Sequence, residues 1–284
     1  MGAGFSGGSL AVFTALAPAG AVAFALMAAF VSFRRAVPRD RRDAMNHALI
    51  VPLGVTWAGF IASATHLGTP ANALHAVAGV GRSPLSNEVV AVVSFLFFAG
   101  IYWLYSYRIA PSRRIAGALA AASVVSCIGM VALMTLAYSV ATVPSWNSWH
   151  TPANLALSAL VGGCSLAMAL ARAFSPDAAP LLAAVRRVLP ISIVATAASL
   201  ASHAAFLAGV TNNVACAADA VPSYGLFIGV FAIAALAGWA MQRASARFAG
   251  WKATAFDGLG CALVLCAVLL ARVPFYGSYL SAGF

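Results

Sequence analysis

His66 and Glu88 bracket the one stretch of this sequence in which a titratable base, a carboxylate and a guanidinium are gathered between two long apolar runs. Glu88 is the single glutamate in 284 residues, and the stretch also holds two of the five histidines, His66 and His75, together with Asn72 and Arg82. A histidine and a carboxylate titrate in the range needed to accept protons. Beside hydrocarbon, where ionisable groups are costly, such a pair calls for a function. Oxidation of a membrane quinol fits that chemistry. It releases two electrons and two protons, and needs a group to hold the hydroxyl, a base to take its proton and an exit to water.

The elements that must position these residues follow from composition. With 63% hydrophobic residues, 8% charged and a mean hydropathy of +0.94, the chain falls far from a soluble domain, in which about a quarter of residues are charged. Its apolar runs are long enough to cross about 30 Å of hydrocarbon as helices, and none alternates with the period of a barrel strand. The expected fold is an all-α integral membrane bundle of eight transmembrane helices, over 10–33, 47–66, 88–107, 115–140, 153–174, 188–210, 224–242 and 254–272. The whole chain, 1–284, forms a single polytopic domain. Residues 1–9 carry no positive segment ahead of the first run, so no cleaved signal peptide is expected.

The net charge of +10 could suggest nucleic acid, but the basic residues form no continuous stripe, which argues against that reading. They lie in short runs at 34–46, 108–114, 172–187 and 243–252, which eight alternating spans place on one side of the membrane. Arg82 and Arg272 alone fall on the other. The positive-inside rule makes the arginine-rich side cytoplasmic and puts both termini outside, on the periplasmic side. His66, Glu88, Trp146, Trp149 and His150 share that outer side with Arg82 and Arg272.

Each candidate has an ordinary structural role beside the functional one. Glu88 sits where a helix starts, with Ser86 or Asn87 as its cap and a favourable carboxylate in the first turn. His66 alone is an interfacial residue. Arg272 either snorkels to headgroups, or neutralises Glu88 or fixes a quinone carbonyl. Trp146 and Trp149 form part of an interfacial aromatic belt. His203, about 10 Å inside its span, is a buried hydrogen-bonded residue. No second histidine at matching depth pairs with it to hold a haem. The five cysteines show no metal or disulfide spacing, so no metal site is expected. Thr-Pro-Ala-Asn occurs at 69–72 and again at 151–154, a weak trace of internal duplication.

Phe60-Ile61-Ala62-Ser63, His66-Leu67-Gly68-Thr69-Pro70, Leu85-Ser86-Asn87-Glu88, Thr142-Val143-Pro144-Ser145-Trp146, Thr151-Pro152, Val221-Pro222-Ser223-Tyr224-Gly225 and Arg272-Val273-Pro274-Phe275-Tyr276-Gly277 together resemble the membrane anchor subunit of the dimethyl sulfoxide reductase family. The resemblance implies a haem-free integral subunit of the bacterial inner membrane. In that family the anchor oxidises menaquinol in anaerobic respiration. It passes the electrons to an iron–sulfur subunit that feeds a molybdopterin catalytic subunit. By position, His66 and Glu88 match the family's quinol-site histidine and glutamate. Where the family can carry an arginine, this chain has Asn72; Arg82 and Arg272 are the further contacts expected for the quinol. With no cluster-binding cysteines of its own, the chain needs that partner to receive electrons. The competing readings are a polytopic secondary transporter and a haem b-containing quinol dehydrogenase subunit.

Overall fold

Helices account for nearly all ordered structure in the computed structural model, which describes residues 3–34, 37–65, 78–175, 178–213 and 215–281, with side chains from residue 7 onward. In chain order they are α1 (Ala3–Phe33), α2 (Arg39–Ala48), α3 (Ile50–Ala64), α4 (Pro84–Ser106), α5 (Arg113–Tyr138), α6 (His150–Phe174), α7 (Ala179–Leu207), α8 (Tyr224–Ala244), α9 (Trp251–Leu270) and α10 (Arg272–Gly277). Among the described residues the sole β feature is an isolated bridge between Thr211 and Cys216. Eight helical stretches among those residues are long and apolar enough to cross a membrane; α2 with α3 and α9 with α10 each form one of them.

Several helices extend beyond the apolar runs that announce them. The stretch expected over 188–210 starts at Ala179, with Pro180 in its first turn, and ends at Leu207. That expected over 47–66 starts at Arg39 and is interrupted at Leu49. Hydropathy marks where side chains leave hydrocarbon, but backbone hydrogen bonding continues into the polar interface, where helix remains the cheapest way to satisfy N–H and C=O groups. Arg39, Arg41, Arg42, Arg186 and Arg187, expected in loops, therefore stand on helices.

α1 and α6 form the centre. Most of the apolar window of each is buried within the protein, 72% and 78%, against 22–39% for α4, α5, α7 and α8. The outer helices turn Val125, Ile128, Ile191, Val194, Leu226 and Ile233 outward, as lipid-facing surfaces do. Small residues bring the central pair together. A Cβ on Gly162 would lie 2.7 Å from the Ala19 Cβ, and one on Gly163 would strike Val22. Without a hydrophobic drive between helices in lipid, such close backbone contact supplies the packing energy.

The same device joins α8 to α9. A Cβ on Gly238 would meet the Gly260 carbonyl at 2.5 Å, and one on Gly260 would meet the Gly238 carbonyl at 2.6 Å. Backbone on both sides leaves nothing flexible to give way. Gly238→Val should therefore lower the stability of the detergent-solubilised protein by about 1–3 kcal/mol, the usual cost of overpacking, read as a lower thermal unfolding midpoint. An unchanged midpoint would show that α8 and α9 separate freely.

Candidate functional site

Glu88 is reached by a local turn that differs from the expected one. Ser83 caps α4, its hydroxyl accepting from the Ser86 N–H at 3.4 Å, and Pro84 follows at the first helical position, where a missing N–H costs nothing. Neither Ser86 nor Asn87 is the cap. The Asn87 side chain instead accepts from the Gly81 N–H at 2.7 Å, closing the turn in which Gly81 adopts φ +81°. Glu88 thus lies in the second turn of α4, beyond the orphan N–H groups of the helix start. Helix capping does not explain it. The residue is 2% exposed, and its Oε1 is buried without a hydrogen-bond partner.

Around it lies a polar and aromatic cluster assembled from helix ends far apart in sequence. Tyr138, at the end of α5, and Tyr276, in α10, meet edge to face at 5.8 Å. Both lie within electrostatic reach of Glu88 and of Arg272. The Tyr276 hydroxyl is hydrogen-bonded to Thr14 of α1 at 3.1 Å. Trp146 stacks on Phe275 at 5.0 Å and donates its indole N–H to the Phe275 carbonyl at 2.9 Å. Of the two tryptophans expected in an interfacial belt, only Trp149 is exposed; Trp146 packs over the cluster.

Arg272 does not snorkel. It is 2% exposed and donates to the Asn154 carbonyl at 3.2 Å and to the Ser158 hydroxyl, while its Nε has no partner. Among the described residues no hydrogen bond or ion pair joins it to Glu88. Beside it, Asn154 is buried with both amide atoms unpartnered. Unsatisfied buried polar atoms are rare in folded proteins, because each forfeits its hydration with nothing in return. Here they belong to a carboxylate, a guanidinium and an amide at one end of the bundle. These are the donors and acceptors that a ligand with two hydroxyl or carbonyl oxygens would satisfy.

His203 is buried, as expected. Its Nε2 faces the Ser145 carbonyl at 3.1 Å and so carries the proton, leaving Nδ1 to accept from the Tyr224 hydroxyl at 2.8 Å. His150, read as a loop residue, opens α6 and is buried 5.4 Å from His203, ring to ring. Its nitrogens pair with Ser148 at 3.2 Å and Ser202 at 2.9 Å. Arg82 is exposed in the turn before α4. His66, Asn72 and His75 lie outside the described residues, as does the first Thr-Pro-Ala-Asn; the second contributes buried Thr151 and Asn154.

The structure therefore brings Glu88 and Arg272 to one cluster and adds Thr14, Tyr138, Asn154, Ser158 and Tyr276, which the residue pattern did not single out. The four-residue spacing of Asn154 and Ser158, on one helix face, was the available signal. Next to the cluster, between α1, α5 and α6, an apolar recess of about 370 Å³ is lined by Val22, Ile128, Thr135, Pro152 and Leu160. Thr135 stands one turn from Tyr138, and Pro152 two residues from Asn154.

Comparison with known proteins agrees with the resemblance. The family model described as DMSO reductase anchor subunit (DmsC) matches residues 1–278. The sequence is 30% identical to the C subunit of the anaerobic dimethyl sulfoxide reductase of Escherichia coli (strain K12), over 100% of its own length and 98% of the relative's. It is 28% identical to the anaerobic dimethyl sulfoxide reductase subunit YnfH of the same organism, over 86% of both proteins. To the C subunit of the Haemophilus influenzae reductase it is 27% identical, over 85% of its own length and 84% of the relative's. With its eight apolar helices it is a multi-pass membrane protein, and it belongs to the family of DMSO reductase anchor subunits.

Proposed function

We propose that this protein is the haem-free membrane anchor of a molybdopterin oxidoreductase complex of the bacterial inner membrane, and that it binds and oxidises menaquinol near the periplasmic side. The observation that carries this reading is the buried, unpartnered carboxylate oxygen of Glu88 in a cluster that also holds Arg272 and Asn154 with unsatisfied atoms. The quinol's hydroxyls supply the missing partners, and its prenyl chain takes the apolar recess beside Tyr138. Arg272 and Asn154 hold one oxygen, and Glu88, with His66, accepts the protons. The electrons leave for an iron–sulfur partner subunit, and a molybdopterin subunit carries out the terminal reduction.

Orientation rests on the loop charges. The arginine-rich end faces the cytoplasm, so the Glu88 end opens to the periplasm with both termini. Asn72 and Arg82 are contacts of second rank. All four nitrogens of His150 and His203 are engaged by protein groups, which favours the haem-free reading over a haem b subunit; a Soret band in the purified complex would reverse that choice. For a transporter, the carboxylates are poorly placed. Glu88 lies toward one end of α4, and Asp257 is paired with Arg172 near the start of α9.

The test is quinol-driven reduction of the iron–sulfur clusters in membranes holding the assembled complex. His66→Ala should slow reduction by a menaquinol analogue on the order of tenfold or more, less than the full ~10²–10⁴-fold of a positioned base because Glu88 remains to accept protons, with reduction by an artificial donor unchanged. Wild-type rates with quinol would remove His66 from the site.

A further inference from the structure

The opposite end of the bundle carries a polar cavity that the quinol reading does not use. It opens between the end of α1, α2, the end of α4 and the start of α5, and three guanidinium groups line it: Arg34, Arg42 and Arg113. Among the described residues, no acidic side chain lines it with them. The nearest aspartates along α2, Asp40 and Asp43, pair at the surface with Arg41 at 3.6 Å and Arg39 at 3.9 Å.

The wall is built rather than incidental. Tyr102 donates to buried Asn46 at 3.2 Å and so receives its bond from Ser32, at 2.9 Å. This fixes three polar side chains from three helices. Arg42 is anchored through its donation to the Val37 carbonyl at 3.1 Å, yet its Nε is buried with no partner. The enclosed space measures about 40 Å³, or about three water-sized positions, the scale of a phosphate group. Val31 and Ala116 add apolar lining to the cavity. Just outside it Phe33 and Ile115, both lipid-facing in type, are half exposed.

From this arrangement we infer that the cavity binds the phosphate of an anionic phospholipid, with the acyl chains running out over Phe33 and Ile115. Three cations with no counter-charge in a partly enclosed site call for an anion, and guanidinium groups match phosphate oxygens in geometry as well as charge. The apolar flank and the position at a helix end, where a headgroup would lie, favour a lipid over a soluble phosphate. Basic pockets between transmembrane helices at such levels suit anionic headgroups. The inference is independent of the quinol site.

The experiment uses the full-length protein purified in detergent, titrated with dioleoyl phosphatidylglycerol, with dioleoyl phosphatidylcholine and with inorganic phosphate. Bound lipid is read by native mass spectrometry and stability by thermal unfolding. Wild type should retain phosphatidylglycerol over phosphatidylcholine and unfold at a higher temperature with it. Arg34→Gln combined with Arg113→Gln should weaken that retention about 30-fold, roughly fivefold per cation removed. Arg34→Lys with Arg113→Lys, which keeps the charge, should retain most of it and shows that loss in the glutamine variant is not misfolding. Equal retention of phosphatidylglycerol by wild type and the glutamine variant would overturn the proposal. So would displacement of the lipid by millimolar inorganic phosphate, which would make the ligand a soluble anion.

Discussion

Replacing Glu88 with glutamine should abolish most quinol-driven electron flow while leaving the complex assembled. The substitution conserves volume and hydrogen-bonding length, so the packing of the second turn of α4 is retained. It removes the capacity to take a proton. A positioned acid or base contributes about 10²–10⁴-fold to rate, and the carboxylate here is 2% exposed with Oε1 unpartnered, so bulk water does not stand in for it. The expected result is a fall on the order of a hundredfold or more in cluster reduction by a menaquinol analogue, with reduction by an artificial donor intact. Binding of the analogue should weaken far less than the rate. A variant that reduces the clusters within twofold of wild type would show that Glu88 is a structural group, and the quinol site would have to be sought elsewhere.

The second large effect lies at the far end. Arg172, near the end of α6, donates to the Asp257 carboxylate at 2.7 Å and to the Gln242 carbonyl at 2.6 Å. Asp257 also accepts from Ser245 at 2.9 Å, and Gln242 exchanges bonds with Ser165 at 3.0 and 2.9 Å. Both charges are withdrawn from water, with side-chain exposures of 12% and 3%. Asp257→Ala strands the guanidinium among α6, α8 and α9, and removing one partner of a buried pair costs about 3–5 kcal/mol. The solubilised protein should unfold at a markedly lower temperature. Arg172→Met with Asp257→Leu should recover most of the loss, because the desolvation cost disappears together with the attraction. If the double variant is as unstable as Asp257→Ala, the surrounding hydrogen bonds, and not the unpaired charge, govern this end.

What could be read from residues alone follows from how rare each signal is. A single glutamate beside hydrocarbon stands out because carboxylates there are costly, and Arg272 stands out because it breaks the charge bias of the loops. Tyr138, Tyr276, Thr14 and Asn154 belong to types that occur throughout membrane proteins, so only the convergence of α1, α5, α6 and α10 distinguishes them. Arg172 was hidden differently. In a loop count it is one more positive charge at the arginine-rich end, and its burial depends on Asp257, 85 residues away in sequence. The start of α4 was misplaced because Glu88 opens the apolar run, whereas the backbone commits to helix at Ser83-Pro84, where a cap and a fixed φ coincide. The extension of α2 and α7 past their apolar runs has the same origin: hydropathy reports the side chains' solvent and is silent on the backbone's bonds.

The hydrogen bond between Thr14 and Tyr276 spans 262 residues, and it bears on biogenesis. A polypeptide that enters the membrane as it is synthesised places α1 first and α10 last. Arg272, Phe275 and Tyr276 can close over Asn154, Trp146 and Thr14 only when the described helices that precede α10 are already in the bilayer. Until then the Glu88 end is an open cleft without its guanidinium or its aromatic cover. On the quinol reading proposed above, partly made chains are therefore inert, and competence for that chemistry arrives as a single late event that doubles as a check on insertion.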